Sequence, residues 1–301
     1  DIITLDIEMP EMNGIETVKQ LRLHSPRLPI LMLSAYTERG AQETLSALAA
    51  GANDYLVKPS QMGSDLNSRE ALTSDLVSKI KALVRRPLHS SPQATPLATK
   101  APVTGLTERV DAIAIGVSTG GPNALAELLC ALPAGLRQPI FITQHMPPMF
   151  TRLLAGRLSE RCAFPVLEAA EGMIAEPGKA YIAPGGLYMT AQRAHSQVVI
   201  RLSDVAAENS CRPSVDVMFR SLLSVYGQQL LVVMLTGMGV DGLAGTRMIR
   251  ERGGRVLARD ETTSVVWGMP GAGAKAGLCD AVLPLDQIAA QVVRVSEMGR
   301  S

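Results

Sequence analysis

Three residues have the types needed to activate a hydroxyl: Ser118, His145 and Asp241. Ser118 lies in Gly116-Val117-Ser118-Thr119-Gly120-Gly121, after an apolar run and before an apolar-periodic segment. This fits G-x-S-x-G, the strand–turn–helix mount that exposes a serine hydroxyl. A dinucleotide loop, G-x-G-x-x-G, fits less well, because Ser118 stands where the pyrophosphate needs close backbone approach. The next strand ends in Gln144-His145 rather than an acid, and no Gly-Lys-Ser/Thr phosphate loop occurs. Taken alone, the turn equally fits Ser118 or Thr119 as an ordinary cap of a helix over 122–132.

His145 and Asp241 shift that balance. Of His24, His89, His145 and His195, only His145 follows a buried-strand pattern, PIFITQ. An imidazole there can act as general base for a hydroxyl on the same rim. Asp241 lies in MLTGMGVDGLAG, after the apolar run QLLVVMLT. It can cap the following helix, or it can orient the imidazole and stabilise its protonated form. The order Ser…His…Asp differs from the Ser…Asp…His order of α/β-hydrolases.

A second set stands near the front of the chain. Asp6, Ser34 and Lys58 each end a short apolar run. Alone, Asp6 reads as part of an acidic loop. Together, a carboxylate, a hydroxyl and an ammonium at three strand ends can accept a phosphoryl group and bind its oxygens.

The elements that must carry these residues alternate between strand and helix. Strands are expected over 2–5, 29–34 and 54–57, with helices over 14–23, 41–50 and 74–84. Residues 85–108, with four prolines among Ser, Thr and Ala, read as a linker. Beyond it, strands are expected over 110–117, 139–144, 229–236 and 255–259, with helices over 148–158, 215–225 and 242–252. Shorter strands over 179–183 and 197–202 suggest a hairpin. The division is therefore 1–84, 85–108 and 109–301. The fold class is α/β, two doubly wound parallel-sheet domains, in which ligands sit at the carboxyl ends of strands.

Composition narrows the function classes. The 301 residues are 47% hydrophobic but only 3% aromatic, so the cores are aliphatic. A net charge of +1 without a basic stripe argues against nucleic-acid binding. Cys130, Cys162, Cys211 and Cys279 form no C-x-x-C pair, which argues against a disulfide framework or a zinc site and for a reducing cytosol. No apolar run approaches the roughly 20 residues of a membrane span. The acidic start lacks the pattern of a signal peptide.

Two resemblances follow. The D-x-x-M-P-x-x-x-G run from Asp6 to Gly14, with Ser34, Tyr55 and Lys58-Pro59, resembles the receiver domain of response regulators, a flavodoxin-like fold. It implies Asp6 as phosphoacceptor, Ser34 as switch hydroxyl, Tyr55 as aromatic switch position and Lys58 as phosphate-sensing lysine. It also implies Mg²⁺ for phosphorylation, held by an acidic pair that the chain starts too late to contain. The receiver is therefore read as N-terminally incomplete, with a weakened front domain and no metal bound by this chain.

The runs IGVSTGGPNAL, ITQHMPPMFT, YIAPGG, RPSVDVMF and LTGMGVDGLAG resemble the Rossmann-like catalytic domain of chemotaxis-type protein-glutamate methylesterases. The resemblance implies Ser118, His145 and Asp241 as the triad, with Thr119 and Met238 lining the site. It implies hydrolysis of glutamate γ-methyl esters on methylated chemoreceptors, some glutamine deamidation, and no cofactor for hydrolysis. It further implies a chemotaxis histidine kinase as phosphodonor, an unphosphorylated receiver that covers the catalytic mouth, and a cytoplasmic monomer with no membrane insertion. Two rivals make other predictions. A signalling adaptor is indifferent to loss of the Ser118 hydroxyl, and a nucleotide-binding oxidoreductase binds a dinucleotide.

Overall fold

Apolar strands separated by capped helices build two compact units, Asp1–Pro92 and Gln93–Ser301, in the computed structural model. Residues 1–58, 66–84, 109–206 and 211–297 are described. The linker expected over 85–108 lies outside them.

In the front unit, β1 (Ile3–Asp6), β2 (Ile30–Ser34) and β3 (Asp54–Val57) pair in that order, all parallel. Helices α1 (Gly14–His24), α2 (Glu38–Ala49) and α3 (Leu66–Val84) follow the strands in turn. Asn13 caps α1 by accepting from Glu16 N–H, and Thr37 caps α2 by accepting from Gly40 N–H. The Thr37 cap starts α2 three residues before its apolar period becomes readable at Ala41. Likewise α3 begins eight residues before the expected Ser74, because Leu66–Thr73 lacks regular apolar spacing.

The second unit is built on β4 (Ala112–Val117), β5 (Ile140–Gln144), β6 (Val166–Glu168), β7 (Ala180–Ile182), β10 (Leu230–Met234), β11 (Arg255–Arg259) and β12 (Ala281–Leu283). They form one parallel sheet in the order β12-β11-β10-β4-β5-β7-β6. The central strands β10, β4 and β5 are buried along their whole length, as a parallel sheet covered on both faces requires.

Two helix sets cover it. The first is α4 (Gly121–Ala131), α5 (Phe150–Arg161) and α9 (Leu285–Glu297); the second is α6 (Val215–Tyr226), α7 (Leu243–Glu251) and α8 (Met269–Lys275). Alternate strand residues Ala112, Ala114, Val232, Met234, Val256 and Ala258 share a core with Met218, Phe219 and Leu222 of α6. Phe219 is wholly buried there. Burial of such a side chain contributes about 1.5–3 kcal/mol.

The expected hairpin is corrected. Residues 180–182 belong to the parallel sheet, and the antiparallel partner of β9 (Gln197–Ser203) is β8 (Tyr188–Ala194). Met189 and Ala191 of β8 are buried, as are Val198 and Ile200 of β9, so the hairpin packs an apolar face and leaves its turn at His195 outside. Cys130 and Cys162, distant in sequence, bring their sulfurs to 3.2 Å as free thiols.

Candidate active site

Strand register places the key residues. Val117 of β4 pairs with Gln144 of β5, so Ser118 and His145 leave adjacent strands at the same level. Ser118 N–H donates to the Thr236 carbonyl at 2.9 Å, which ties the serine turn to the segment after β10. His145 N–H donates to the Val117 carbonyl at 3.1 Å. Gln144 braces both turns, its Nε2 donating to the Ser118 carbonyl at 3.0 Å and the His145 carbonyl at 3.2 Å.

Ser118 and Asp241 do not cap the helices that follow them. The cap of α4 is Gly120, in left-handed backbone at φ 76°, and that of α7 is Gly242 at φ 93°; neither makes a side-chain cap bond. Gly237 must be glycine for another reason: a Cβ there comes within 2.8 Å of Ser118 Cβ and 2.4 Å of Met269 Sδ.

Asp241, its side chain only 4% exposed, faces His145 with Oδ2 2.8 Å from Nε2. The same oxygen accepts from Val215 N–H at 2.7 Å. Oδ1 accepts from Ser214 Oγ at 2.9 Å and Asp216 N–H at 3.1 Å. The carboxylate thus sits on the N-terminus of α6, where backbone donors and the helix dipole favour negative charge. Burial alone pushes its pKa up. The hydrogen bond and charge of His145, with the two backbone donors, outweigh burial and hold it below the usual value. Neighbouring Asp216 moves the other way: burial raises its pKa despite a hydrogen bond from Gly245 N–H at 2.6 Å, and the Asp241 charge adds to the rise.

Among the described contacts, no hydrogen bond joins Ser118 Oγ to His145. Thr119 is buried, and its carbonyl accepts from Thr236 Oγ1 at 3.0 Å. Met238 is half-buried in the loop that follows Gly237. In sequence the RPSVD run reads only as a polar loop entering a helix; here Ser214, Val215 and Asp216 anchor Asp241. Cys211 gave no sequence signal either, yet it lies beside His145 and Asp241.

At the front site, Lys58 Nζ lies 2.5 Å from Asp6 Oδ2. Ser34 lies on the next strand, fully buried, with its hydroxyl turned towards α2: it donates to the Gly40 carbonyl at 3.3 Å and accepts from Thr44 Oγ1 at 2.6 Å. Tyr55 is buried on β3, and desolvation first, then Asp54, pushes its phenol well up. Mg²⁺ takes about six oxygen ligands in near-octahedral geometry. One carboxylate facing an ammonium does not fit that ion, and no group of three metal-ligating side chains surrounds Asp6 among the described residues.

The second unit is thus an α/β sheet with a hydroxyl, an imidazole and an anchored carboxylate just beyond the carboxyl ends of its central strands, and the first carries a strand-end Asp–Lys pair. The family described as CheB methylesterase matches residues 113–292, and the response regulator receiver domain matches residues 1–67. A protein-glutamate methylesterase/protein-glutamine glutaminase of Trichodesmium erythraeum is 47% identical over 98% of this chain and 85% of its own length. A relative of the same name from Nocardioides is 46% identical over 98% of this chain and 82% of its own length. The crystal structure of the Thermotoga maritima CheB methylesterase catalytic domain superposes with a TM-score of 0.61 at 36% identity, covering 62% of this chain and all of that one.

The chain belongs to the CheB methylesterase family. It is an ester hydrolase of the methylesterase class preceded by a receiver domain, on a flavodoxin-like and a Rossmann-like fold. No helix among the described residues is long and apolar enough to cross a membrane.

Proposed function

We propose that this chain hydrolyses the γ-methyl esters of glutamate side chains on chemoreceptor signalling helices, and deamidates receptor glutamines by the same route. Ser118 Oγ attacks the ester carbonyl while His145 takes its proton. The Oγ–acyl bond forms, the C–OCH₃ bond breaks, and His145 returns the proton to the departing methanol. Water then attacks the acyl group, His145 carries its proton to Ser118, and the free glutamate leaves. Backbone N–H groups of the glycine-rich loops hold the oxyanion, and Thr119 and Met238 line the mouth. Catalytic hydrogen bonds are often open before substrate binds, which accommodates the unclosed Ser118–His145 contact.

One observation carries this reading: the buried Asp241 carboxylate, fixed by three donors, faces His145 and can stabilise an imidazolium. Hydrolysis by this route needs no metal or organic cofactor.

The division 1–84, 85–108 and 109–301 then separates control from catalysis. In a chain that also carries the acidic pair for Mg²⁺, Asp6 would accept a phosphoryl group from a chemotaxis histidine kinase, with Lys58 and Ser34 as its sensing residues, and this would relieve inhibition of the esterase. The setting is a cytoplasmic monomer. Methanol release from methyl-esterified receptor tests the proposal: release by the parent that vanishes in Ser118→Ala supports it, and equal release by both overturns it.

A further inference from the structure

Cysteine spacing reveals metal sites only when the ligands lie close in sequence. Here one ligand atom each from His145, Cys211 and Asp241 lies within 4.8 Å of the others, the one grouping of its kind among the described residues. The three come from different places: the end of β5, the segment entering α6 and the loop after β10. We propose that this trio is a reversible zinc site, with solvent as the fourth ligand, and that the ion acts as a brake on the esterase.

The donor chemistry selects the metal. Imidazole nitrogen, thiolate sulfur and carboxylate oxygen are zinc ligands, and three protein donors with one open position is an exchangeable layout. A thiolate disfavours Mg²⁺ and Ca²⁺. The geometry is close. Bonds of about 2.0–2.3 Å place tetrahedral donors roughly 3.3–3.8 Å apart, so shifts of about 1.5 Å or less gather the trio round one ion. His145 and Cys211 are both half-buried, which leaves solvent a route in, whereas Asp241 is buried and fixed.

On binding, the Cys211 thiol releases its proton to solvent and the S–Zn bond forms, with no change of oxidation state. Zinc takes the place of the proton on His145 Nε2 that faces Asp241, and that proton moves through solvent to Nδ1, so the ring stays neutral. The brake rests on the functional reading above, because an imidazole held by zinc cannot take a proton from Ser118. The binding itself does not depend on that reading.

The thiols of Cys130 and Cys162, 3.2 Å apart, form a rival thiolate site and require a control. The probe is Co²⁺ added to the full chain under reducing, anaerobic conditions, read by its thiolate-to-cobalt charge-transfer absorption and displaced by Zn²⁺. The band is expected in the parent and in a Cys130→Ser/Cys162→Ser variant, and it is lost in Cys211→Ser. Zinc affinity of Cys211→Ser falls by at least the roughly 10–100-fold that even outer partners of a metal site are worth. A band that survives Cys211→Ser, or that disappears in the double variant, overturns the site. In the esterase assay, Zn²⁺ inhibits the parent and a chelator restores it, while Cys211→Ser keeps its basal rate and resists zinc. Equal inhibition of parent and Cys211→Ser overturns the brake. A metal-free parent without esterase activity but with an intact cobalt band places the fault in the functional reading and leaves the site standing.

Discussion

Asp241→Asn is the most informative substitution, because every polar neighbour of that carboxylate donates to it. Asp216 N–H and Ser214 Oγ meet one oxygen, and Val215 N–H and His145 Nε2 meet the other. An asparagine must turn its NH₂ towards one of these pairs. The serine hydroxyl and the imidazole can reverse roles; a backbone N–H cannot. Either amide orientation therefore leaves Asp216 N–H or Val215 N–H facing another donor. A buried donor left unsatisfied costs about 1–3 kcal/mol. For a unit of this size that lowers the melting temperature by roughly 2–12 °C.

Activity falls further than stability. An amide that keeps the imidazole in the wrong tautomer costs on the order of 10⁴ in kcat in a serine triad. The sign with pH also follows. Because the folded pKa of Asp241 is depressed, its ionised form contributes stability that is present above the ordinary carboxylate range and is lost as pH falls through the lower folded value. The stability deficit of Asp241→Asn relative to the parent therefore shrinks in acid. Methanol release and thermal unfolding on one preparation, repeated at neutral and acid pH, check all three. A variant that melts with the parent and releases methanol at the parental rate refutes the reasoning.

Other perturbations separate positioning from folding. Gly237→Ala drives a methyl to within 2.8 Å of Ser118 Cβ; steady-state kinetics are expected to show kcat reduced by about 10²-fold, the cost of displacing a reacting group by roughly 1 Å. Ser214→Ala removes a donor to Asp241 and the cap of α6 together, so urea unfolding should show a loss of about 1–2 kcal/mol, with a smaller effect on rate than Asp241→Asn because two backbone donors remain. Lys58→Ala breaks an ion pair whose side chains are 43% and 36% exposed, and the unfolding of the front unit is expected to shift by less than about 1 kcal/mol. Removal of residues 1–108 is expected to raise basal methanol release, and an unchanged rate argues against inhibition by the receiver.

The sequence was most readable where one physical signal dominated. The apolar runs of β4, β5 and β10 mark strands buried on both faces, and the residues just beyond them form the candidate site. Local signals misled where tertiary packing took over. Met269–Lys275 contains Pro270, Gly271 and Gly273 and is given no element in the sequence, yet it is helix α8, where a Cβ on Gly271 would come within 2.9 Å of the Trp267 ring. Close approach, not helix propensity, selects Gly271. Helix α9 is the opposite case. Leu285, Ile288, Val292 and Val295 keep helical spacing and are buried, a readable pattern absent from the expected elements.

At the site, Ser118, His145 and Asp241 were readable as residue types at strand ends. Their alternative roles as helix caps were not separable until Gly120 and Gly242 were seen to occupy the cap positions. The anchoring of Asp241 by Ser214, Val215 and Asp216, and its closeness to Cys211, join segments some 25 or more residues apart. No local periodicity encodes such a pairing.

The central claim is that Ser118 is a nucleophile activated through His145. Its most direct test is the rate and position of labelling by a fluorophosphonate, read by peptide mass spectrometry on the full chain. The account predicts a single adduct on Ser118, formed quickly in the parent and slowly in His145→Ala and Asp241→Asn. An adduct on another serine, or equal labelling of Ser118 in all three proteins, contradicts it.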